Sequence, residues 1–293
     1  MPCIICPKCS CGSDETMRRA IAVGEWGNVD CPSCKHSFLV AHAIDEMFMS
    51  GISWGYAFWL GCKHLTKYIR CAPGETKYLR IPDEFDEVYK VSTSFLGGYQ
   101  TLAGGLLVEY TVPGMLMAAV AGPVPGFTQH LHMYITLIGR APNAPPLVPW
   151  QRLVLEARLA PFNGIAIAPI HAVSAIDLFV EAMTGQVIAE GRPGSWNAAI
   201  EICLGVSLRV LVGKQPFQDL ERLVQIRNKI AHGIEYVDRL PVSLQAEEQR
   251  WRVDPKLEQG DAAIPPSSEF SVRTALTVIR AYRQRAFLLA QSG

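Results

Sequence analysis

Two pairs of closely spaced cysteines near the N-terminus are the residues whose spacing most clearly indicates chemistry. The pairs CPKC at residues 6–9 and CPSC at residues 31–34 repeat the pattern C-P-x-C. A tight turn can place both sulfurs of a pair on one ion, and four thiolates complete the tetrahedral shell that Zn²⁺ prefers. A closed shell leaves no position for a substrate, so the sequence predicts a structural rather than a catalytic Zn²⁺. The expected ligands are Cys6, Cys9, Cys31 and Cys34.

Other residues compete for these ligand positions. Cys3 has the same spacing to Cys6 as Cys6 has to Cys9, and Cys11 and His36 lie close in sequence. We favour the two pairs that contain proline over these competitors and over a set of free or buried thiols. The arrangement resembles a zinc ribbon, which implies two knuckles on short β-hairpins. Metal binding and folding of so small a unit are expected to be coupled, and the unit would serve either as a folding staple or as an adaptor for nucleic acid or protein.

A second group of residues stands out because one of them interrupts a helical pattern. The segment PFQDLERLVQIRNKIAHG, residues 216–233, has an apolar stripe at helical spacing, and Arg227 falls near its centre. Burial of an unpaired guanidinium is expensive. Arg227 is therefore expected to face a carboxylate, a polar groove, a subunit interface or an anionic ligand. Asn228 and His232 lie on the flank of the same helix, and Gly233 should end it and leave the imidazole accessible, where histidine can exchange protons near neutral pH.

The run RNKIAH at residues 227–232 resembles the R-x4-H signature of the HEPN domains. The resemblance covers the C-terminal half of the chain, although its specific part is these six positions, and it implies a small helical bundle that dimerises to build one composite ribonuclease site. RNA would then be cut without a metal, by attack of its own 2′-hydroxyl on the adjacent phosphate. His232 would act as general acid or base, Arg227 would stabilise the transition state, and Asn228 would position a phosphate oxygen. Such proteins commonly serve as toxins or antiviral effectors.

Two acidic residues and three arginines extend this candidate site. Asp177 and Glu181 stand at positions i and i+4 of the apolar segment PIHAVSAIDLFVEAM. HEPN domains often carry an acidic residue on the corresponding helix, so either one is expected to orient Arg227 or His232, although ordinary helix solubility explains them equally well. The last predicted helix places several arginines near one edge, where they would either follow a phosphate backbone or form a solvated face. These are Arg273, Arg280 and Arg283.

Composition leaves two other function classes open. The chain has 27 basic and 27 acidic side chains, so no overall field attracts nucleic acid, and any RNA contact must come from a local patch. A non-catalytic module that binds a nucleotide, RNA or a protein is therefore the main alternative to a ribonuclease. A zinc-ribbon regulator of nucleic-acid transactions is a third class, but no recognition-helix pattern supports it.

The elements that must position these residues fall into three zones. A Cys-rich zone over residues 1–42 precedes a β-rich zone over 43–145, and the Pro-rich run APNAPPLVP leads into a helical zone over 146–293. The fold class is thus a multidomain α+β protein with a zinc ribbon, a β-rich middle and an all-α HEPN-like bundle. We predict helices over 150–159, 165–183, 196–212, 217–232 and 270–290, with Ser195 capping the third; 44–60 is a further candidate, and 254–268 is a predicted loop.

Cysteine usage and hydropathy indicate a cytoplasmic protein without a membrane span. Of the nine cysteines, only Cys203 lies beyond Cys71, and such clustering is more typical of metal binding than of disulfides. The N-terminal residues do not have the pattern of a secretion signal. The stretch 110–139 lacks charged residues, but its prolines and glycines would break a membrane helix, so its last part is predicted to be a buried strand.

Overall fold

The computed structural model describes residues 3–72, 75–95, 106–112, 115–120, 131–159, 167–188, 191–253 and 264–292. Its helices are α1 Asp14–Val23, α2 Val40–Met49, α3 Ser53–Leu60, α4 Pro149–Leu159, α5 Ala168–Thr184, α6 Pro193–Leu204, α7 Leu208–Val212, α8 Lys214–Ala231, α9 Val242–Val253 and α10 Pro266–Ser292. Its strands are β1 Asn28–Asp30, β2 Ser37–Leu39, β3 Lys63–Cys71, β4 Thr76–Arg80, β5 Glu87–Phe95, β6 Leu106–Val112, β7 Met115–Val120 and β8 Leu131–Arg140.

The chain divides into two compact units. The first joins Met1–Ser50 to Leu147–Gly293, and the second comprises Gly51–Pro146. The amino-acid composition along the chain predicts three zones, of which the Cys-rich zone is separate from the C-terminal helices. In the structure, the Cys-rich zone and α2 share a unit with the C-terminal helices. The expectation of a mixed α+β fold with its helices concentrated toward the C-terminus is confirmed.

The helical part of the first unit is built around α5. Most of α5 is buried, because it is composed of small and branched apolar residues that allow α4, α8 and α10 to approach it. At the centre, Phe179 of α5 packs edge to face against Trp150 of α4 and Tyr282 of α10, with ring centroids 5.1 and 5.4 Å away. Complete burial of a large apolar side chain contributes about 1.5–3 kcal/mol. This cluster therefore holds α4, α5 and α10 together, and α8 packs against α5.

The expected helices of this unit differ from the observed ones in four respects. The expected single helix over 196–212 is two helices, because Gly205 takes a positive φ of 67° and ends α6. Ser195 does not cap it, since the helix already begins at Pro193, whose fixed φ suits a first turn. Helix α9 was not predicted, because its polar sequence shows no apolar stripe. The predicted loop over 254–268 ends earlier than expected, at the start of α10; its residues 254–263 lie outside the described part.

The arginines of α10 contact the N-terminal part of the same unit. Three ion pairs join the two parts: Arg280 with Asp45 at 2.7 Å, Arg273 with Glu46 at 2.6 Å, and Arg283 with Glu25 at 3.0 Å. On α4, the buried guanidinium of Arg158 donates from Nε and Nη2 to the carbonyl of Met49 at the end of α2. These three arginines are therefore paired with acidic residues of the same unit, and their expected contact with a phosphate backbone stays a prediction.

The second unit contains two antiparallel three-stranded sheets, in the orders β3-β8-β5 and β4-β7-β6. Its core is formed by Ile69, Cys71, Phe85, Ile135 and Leu137, with Leu79 and Ile81 packed against it. The strand predicted at residues 130–139 is β8, and it pairs with both of its neighbours. The helix considered for 44–60 is observed as α2 and α3, separated at Gly51, which has a positive φ of 72°.

The apolar stretch 110–139 is largely strand wherever it is described. It contains the end of β6, all of β7 and most of β8, whereas residues 113–114 and 121–130 lie outside the described part. Among the helices that the structure describes, none is both long and apolar enough to cross a bilayer.

Candidate functional site

The four predicted metal ligands come together at two knuckles with the same backbone geometry. In the first, the N–H of Ser10 donates to the carbonyl of Cys6, and Cys6 in turn donates to Cys11. In the second, Lys35 donates to Cys31, and Cys31 donates to the carbonyl five residues later. Ser10 and Lys35, each following the second cysteine of its pair, have positive φ values of 55° and 58°. This repetition shows that each C-P-x-C pair encodes the same tight turn.

The sulfur positions fit a single tetrahedral metal ion. Sγ of Cys6 lies 3.7 Å from that of Cys34, Sγ of Cys9 lies 3.6 Å from that of Cys31, and all four lie within 4.8 Å of one another. A tetrahedron with metal–thiolate bonds of about 2.3 Å has sulfur–sulfur edges of about 3.8 Å. The four cysteines are therefore close enough together to hold a metal ion.

Local electrostatics favour a thiolate at Cys31 but not at Cys9. A backbone hydrogen bond from Cys11 lowers the pKa of Cys9, yet the neighbouring thiols and burial together raise it to about 12. The backbone N–H groups of Cys34 and Ser33 point at the sulfur of Cys31 and lower the pKa of that thiol to about 6, against the opposing effect of burial. Thiolates packed this closely repel one another unless a cation lies between them. The competing ligands Cys3, Cys11 and His36 are not members of the cluster.

The second candidate site lies on α8, whose end is fixed by its backbone. Gly233 has a positive φ of 67° and donates to the carbonyl of Ile230, while Ile234 donates to that of Lys229. This is the Schellman arrangement that commonly closes a helix at glycine. It leaves His232 as the final, exposed residue of the helix end. Asn228, one turn earlier, is also exposed.

Arg227 is half-buried and contacts the segment before α6. Its Nη2 donates to the carbonyl oxygen of Gly191 at 2.7 Å. Its Nε is buried and has no hydrogen-bond partner among the described residues. The guanidinium is thus held in place by a backbone carbonyl, and part of its donor capacity is unused.

Asp177 belongs to the same group as Arg227. Its carboxylate accepts a 2.6 Å hydrogen bond from the indole Nε1 of the buried Trp196. A Cβ on Gly191 would lie only 2.6 Å from Oδ2 of Asp177, so a larger residue there would have to displace the carboxylate. Burial raises the pKa of Asp177, and this effect outweighs the opposing influence of Trp196 and Arg227. Asp177 and Arg227 are therefore neighbours linked through Gly191.

Glu181 has a different role from the one expected. Its Oε1 accepts a 2.8 Å hydrogen bond from the backbone N–H of Ile188 and so holds the segment that follows α5. No contact recorded among the described residues joins it to Arg227 or His232.

Two residues of this group were missed by sequence reasoning. Gly191 and Trp196 carry no motif, and Trp196 looks like an ordinary core aromatic. Only their position beside Asp177 identifies them. An indole N–H that is buried needs a partner, and this requirement is the single sequence-level signal that a polar residue lies nearby.

Comparisons of the chain with protein-family models, curated proteins and solved structures find no match. The case for a function therefore depends on the chemistry of the two sites.

Proposed function

We propose that this chain is a metal-independent endoribonuclease of the HEPN type, which cleaves RNA by attack of a 2′-hydroxyl on the adjacent phosphate. One observation carries the proposal: a half-buried guanidinium lies in the last turns of the helix that an exposed imidazole closes. They occur within the run RNKIAH that resembles the family signature.

Each residue has a role that its surroundings support. The exposed His232 exchanges the proton of the 2′-hydroxyl or of the leaving oxygen. Arg227 stabilises the charge that accumulates on the phosphorane-like transition state, since a guanidinium already held in place needs no reorganisation. The exposed Asn228 positions a phosphate oxygen. Asp177 is a positioning residue that acts on Arg227 through Gly191, whereas Glu181 holds the segment after α5.

The metal in this proposal is a structural Zn²⁺ at the cysteine cluster. Four thiolates at tetrahedral spacing are the donor set of a closed zinc site. Cys6, Cys9, Cys31 and Cys34 would hold the ion and stabilise the ribbon. Catalysis then depends on the helical part of the chain alone.

A single His232 per chain supports a homodimer as the active unit, because acid and base on opposite sides of the phosphate are readily supplied by two copies. The biological role that fits such an enzyme is a cytoplasmic toxin or antiviral-defence effector. RNA is the proposed substrate, and a second copy of this chain is the proposed partner.

A second candidate function is a non-catalytic module that binds a nucleotide, RNA or a protein. The contact between Arg227 and the carbonyl of Gly191 favours it, because this contact occupies part of the guanidinium. The equal numbers of basic and acidic side chains favour it as well.

An RNA-cleavage assay in EDTA separates the two functions. We expect the wild type to cleave RNA, and Arg227→Ala and His232→Ala to lose activity by about 100-fold or more, since acid–base and electrostatic contributions are each of about this size. Arg222→Ala is the matched control. Arg222 also lies on α8 but pairs with Asp219 at 3.0 Å, so its removal should leave cleavage unchanged.

Cleavage that persists in both variants would reject this site. Absence of cleavage across transfer, messenger and ribosomal RNA would favour the binding module. Zinc content should be measured after EDTA treatment, so that loss of activity is not confused with loss of the metal.

A further inference from the structure

Strands β3 and β8 of the second unit turn one face to the core and the other face outward. Their register pairs Tyr68 with Tyr134 and Thr66 with Thr136. Ile69 and Ile135, adjacent in sequence to the tyrosines, are buried in the core. Because successive side chains of a strand point to opposite faces, both tyrosines lie on the outer face of this sheet.

Three rings form an exposed cluster there, which we call the aromatic platform: Tyr68, His132 and Tyr134. Tyr68 is 50% exposed and Tyr134 is 37% exposed. The ring centroid of Tyr68 lies 5.8 Å from that of His132 and 5.7 Å from that of Tyr134. The Tyr68 hydroxyl also hydrogen-bonds to Nδ1 of His132. The rings are thus fixed relative to one another while their surfaces stay accessible.

The platform is exposed, whereas the other end of the same sheet face is buried. There Ile138 of β8 is fully buried and Lys90 of β5 is 8% exposed. Helix α3 packs near that end, and Lys90 donates to the hydroxyl of Tyr56 at 3.3 Å. The fold therefore covers one end of the face and leaves the aromatic end uncovered. Grouped large exposed side chains of this kind mark interaction surfaces.

The charged residues of the two strands that carry the platform have a single sign. Strands β3 and β8, with sequences KHLTKYIRC and LHMYITLIGR, contain lysine and arginine but no aspartate or glutamate. Arg70, two residues after Tyr68 and therefore on the same face, is exposed and stands opposite His132 in the register. Lys67 is exposed as well, but the alternation places it on the opposite face of the strand. Such a surface complements a ligand that combines flat apolar rings with regular negative charge.

We propose that the aromatic platform binds single-stranded RNA, with bases stacked on Tyr68 and Tyr134 and the backbone phosphate near Arg70. Aromatic rings with adjacent cations are the combination by which single strands are bound with little sequence preference. A duplex keeps its bases stacked internally, so it cannot use the rings. This proposal concerns the second unit and does not rest on the proposed ribonuclease site.

The test measures fluorescence anisotropy of a labelled single-stranded 2′-O-methyl oligouridine with the full-length chain. This probe cannot be cleaved by 2′-hydroxyl attack. We expect Tyr68→Ala and Tyr134→Ala each to weaken binding by about 5- to 100-fold, the range of one lost base–aromatic stack. Tyr78→Ala is the matched control, because Tyr78 is 61% exposed but lies on β4 in the other sheet. This variant should bind the oligouridine with the affinity of the wild type.

Further variants and probes show whether weaker binding comes from lost base stacking, from lost electrostatic attraction or from misfolding. Tyr68→Phe and Tyr134→Phe should retain affinity, since a phenyl ring still stacks, and an abasic strand of equal length should bind as weakly as the alanine variants. The proposal is overturned if the wild type does not bind the oligouridine, if duplex RNA or heparin binds as tightly, or if both alanine variants keep wild-type affinity.

Discussion

At the residue scale, the cysteine cluster shows how a local motif can fix a tertiary site. Each C-P-x-C pair forms its turn through hydrogen bonds within a few residues. Bringing two turns together then places sulfurs 3.6 and 3.7 Å apart, which is favourable only when a cation neutralises the thiolates. Folding of this segment is therefore expected to depend on the metal.

The purified protein should contain about one zinc per chain, the number that a single four-thiolate site holds. Cys31→Ser should lose most of it, because a serine hydroxyl at that position does not replace a thiolate. Cys3→Ser is the control and should keep the metal, since Cys3 is outside the cluster. Elemental analysis of both variants decides the ligand set. Unchanged zinc in Cys31→Ser would contradict the assignment.

Arg227 shows how residues outside any recognisable motif can fix the position of a functional side chain. Trp196 orients the carboxylate of Asp177, Asp177 packs against Gly191, and the carbonyl of Gly191 accepts from Arg227. A guanidinium held in this way is fixed in position before an anion arrives. It is consequently suited to bind an anion, whether as catalyst or as receptor.

At the element scale, helix ends and helix contacts decide which groups remain available. The glycine after α8 ends the helix at His232 and keeps the imidazole exposed. In contrast, the arginines of α10 are paired with acids near or within α2. Arginine thus belongs to a candidate site on α8, whereas on α10 it forms ion pairs that hold α10 against the N-terminal part of the unit.

The contact between α2 and α10 should make stability depend on pH through Asp45. Burial raises the pKa of Asp45 to about 7, and the ion pair with Arg280 offsets this only in part. The unfolded-state pKa is about 3.9, so the folded state binds the proton more tightly. The stability contributed by the neutral carboxyl is present below about pH 4 and is lost as pH rises toward 7.

Asp45→Asn should therefore become more stable relative to the wild type as the pH rises from about 4 to about 7. Asparagine mimics the neutral carboxyl and does not ionise. The measurement is the difference in thermal midpoint between the two proteins across this range, with zinc content verified at each pH. A wild type that instead gains stability relative to the variant would show that the ion pair with Arg280 outweighs burial.

At the scale of the whole molecule, the proposed activity requires two copies of the chain. One His232 per chain supplies either the acid or the base, and a dimer supplies both. Sedimentation should therefore show a dimer at concentrations where RNA is cleaved. Cleavage per chain should fall on dilution below the dissociation constant of the dimer. Full specific activity of a monomer would contradict the composite site.

Overall neutrality also has a consequence at this scale. Since basic and acidic residues are equal in number, attraction of RNA must come from local surfaces, of which the aromatic platform is the proposed one. It lies in a different compact unit from Arg227 and His232. Binding and cleavage can thus be tested by separate substitutions.

The sequence by itself determined the features that depend on neighbours along the chain. The two C-P-x-C turns, the end of α8 at Gly233 and the strand β8 follow from local spacing and local hydrogen bonds. Tertiary structure decided the features that depend on distant partners. It paired the α10 arginines with Asp45, Glu46 and Glu25. It also brought Gly191 between Asp177 and Arg227, because burial and charge pairing are settled only when remote segments pack together.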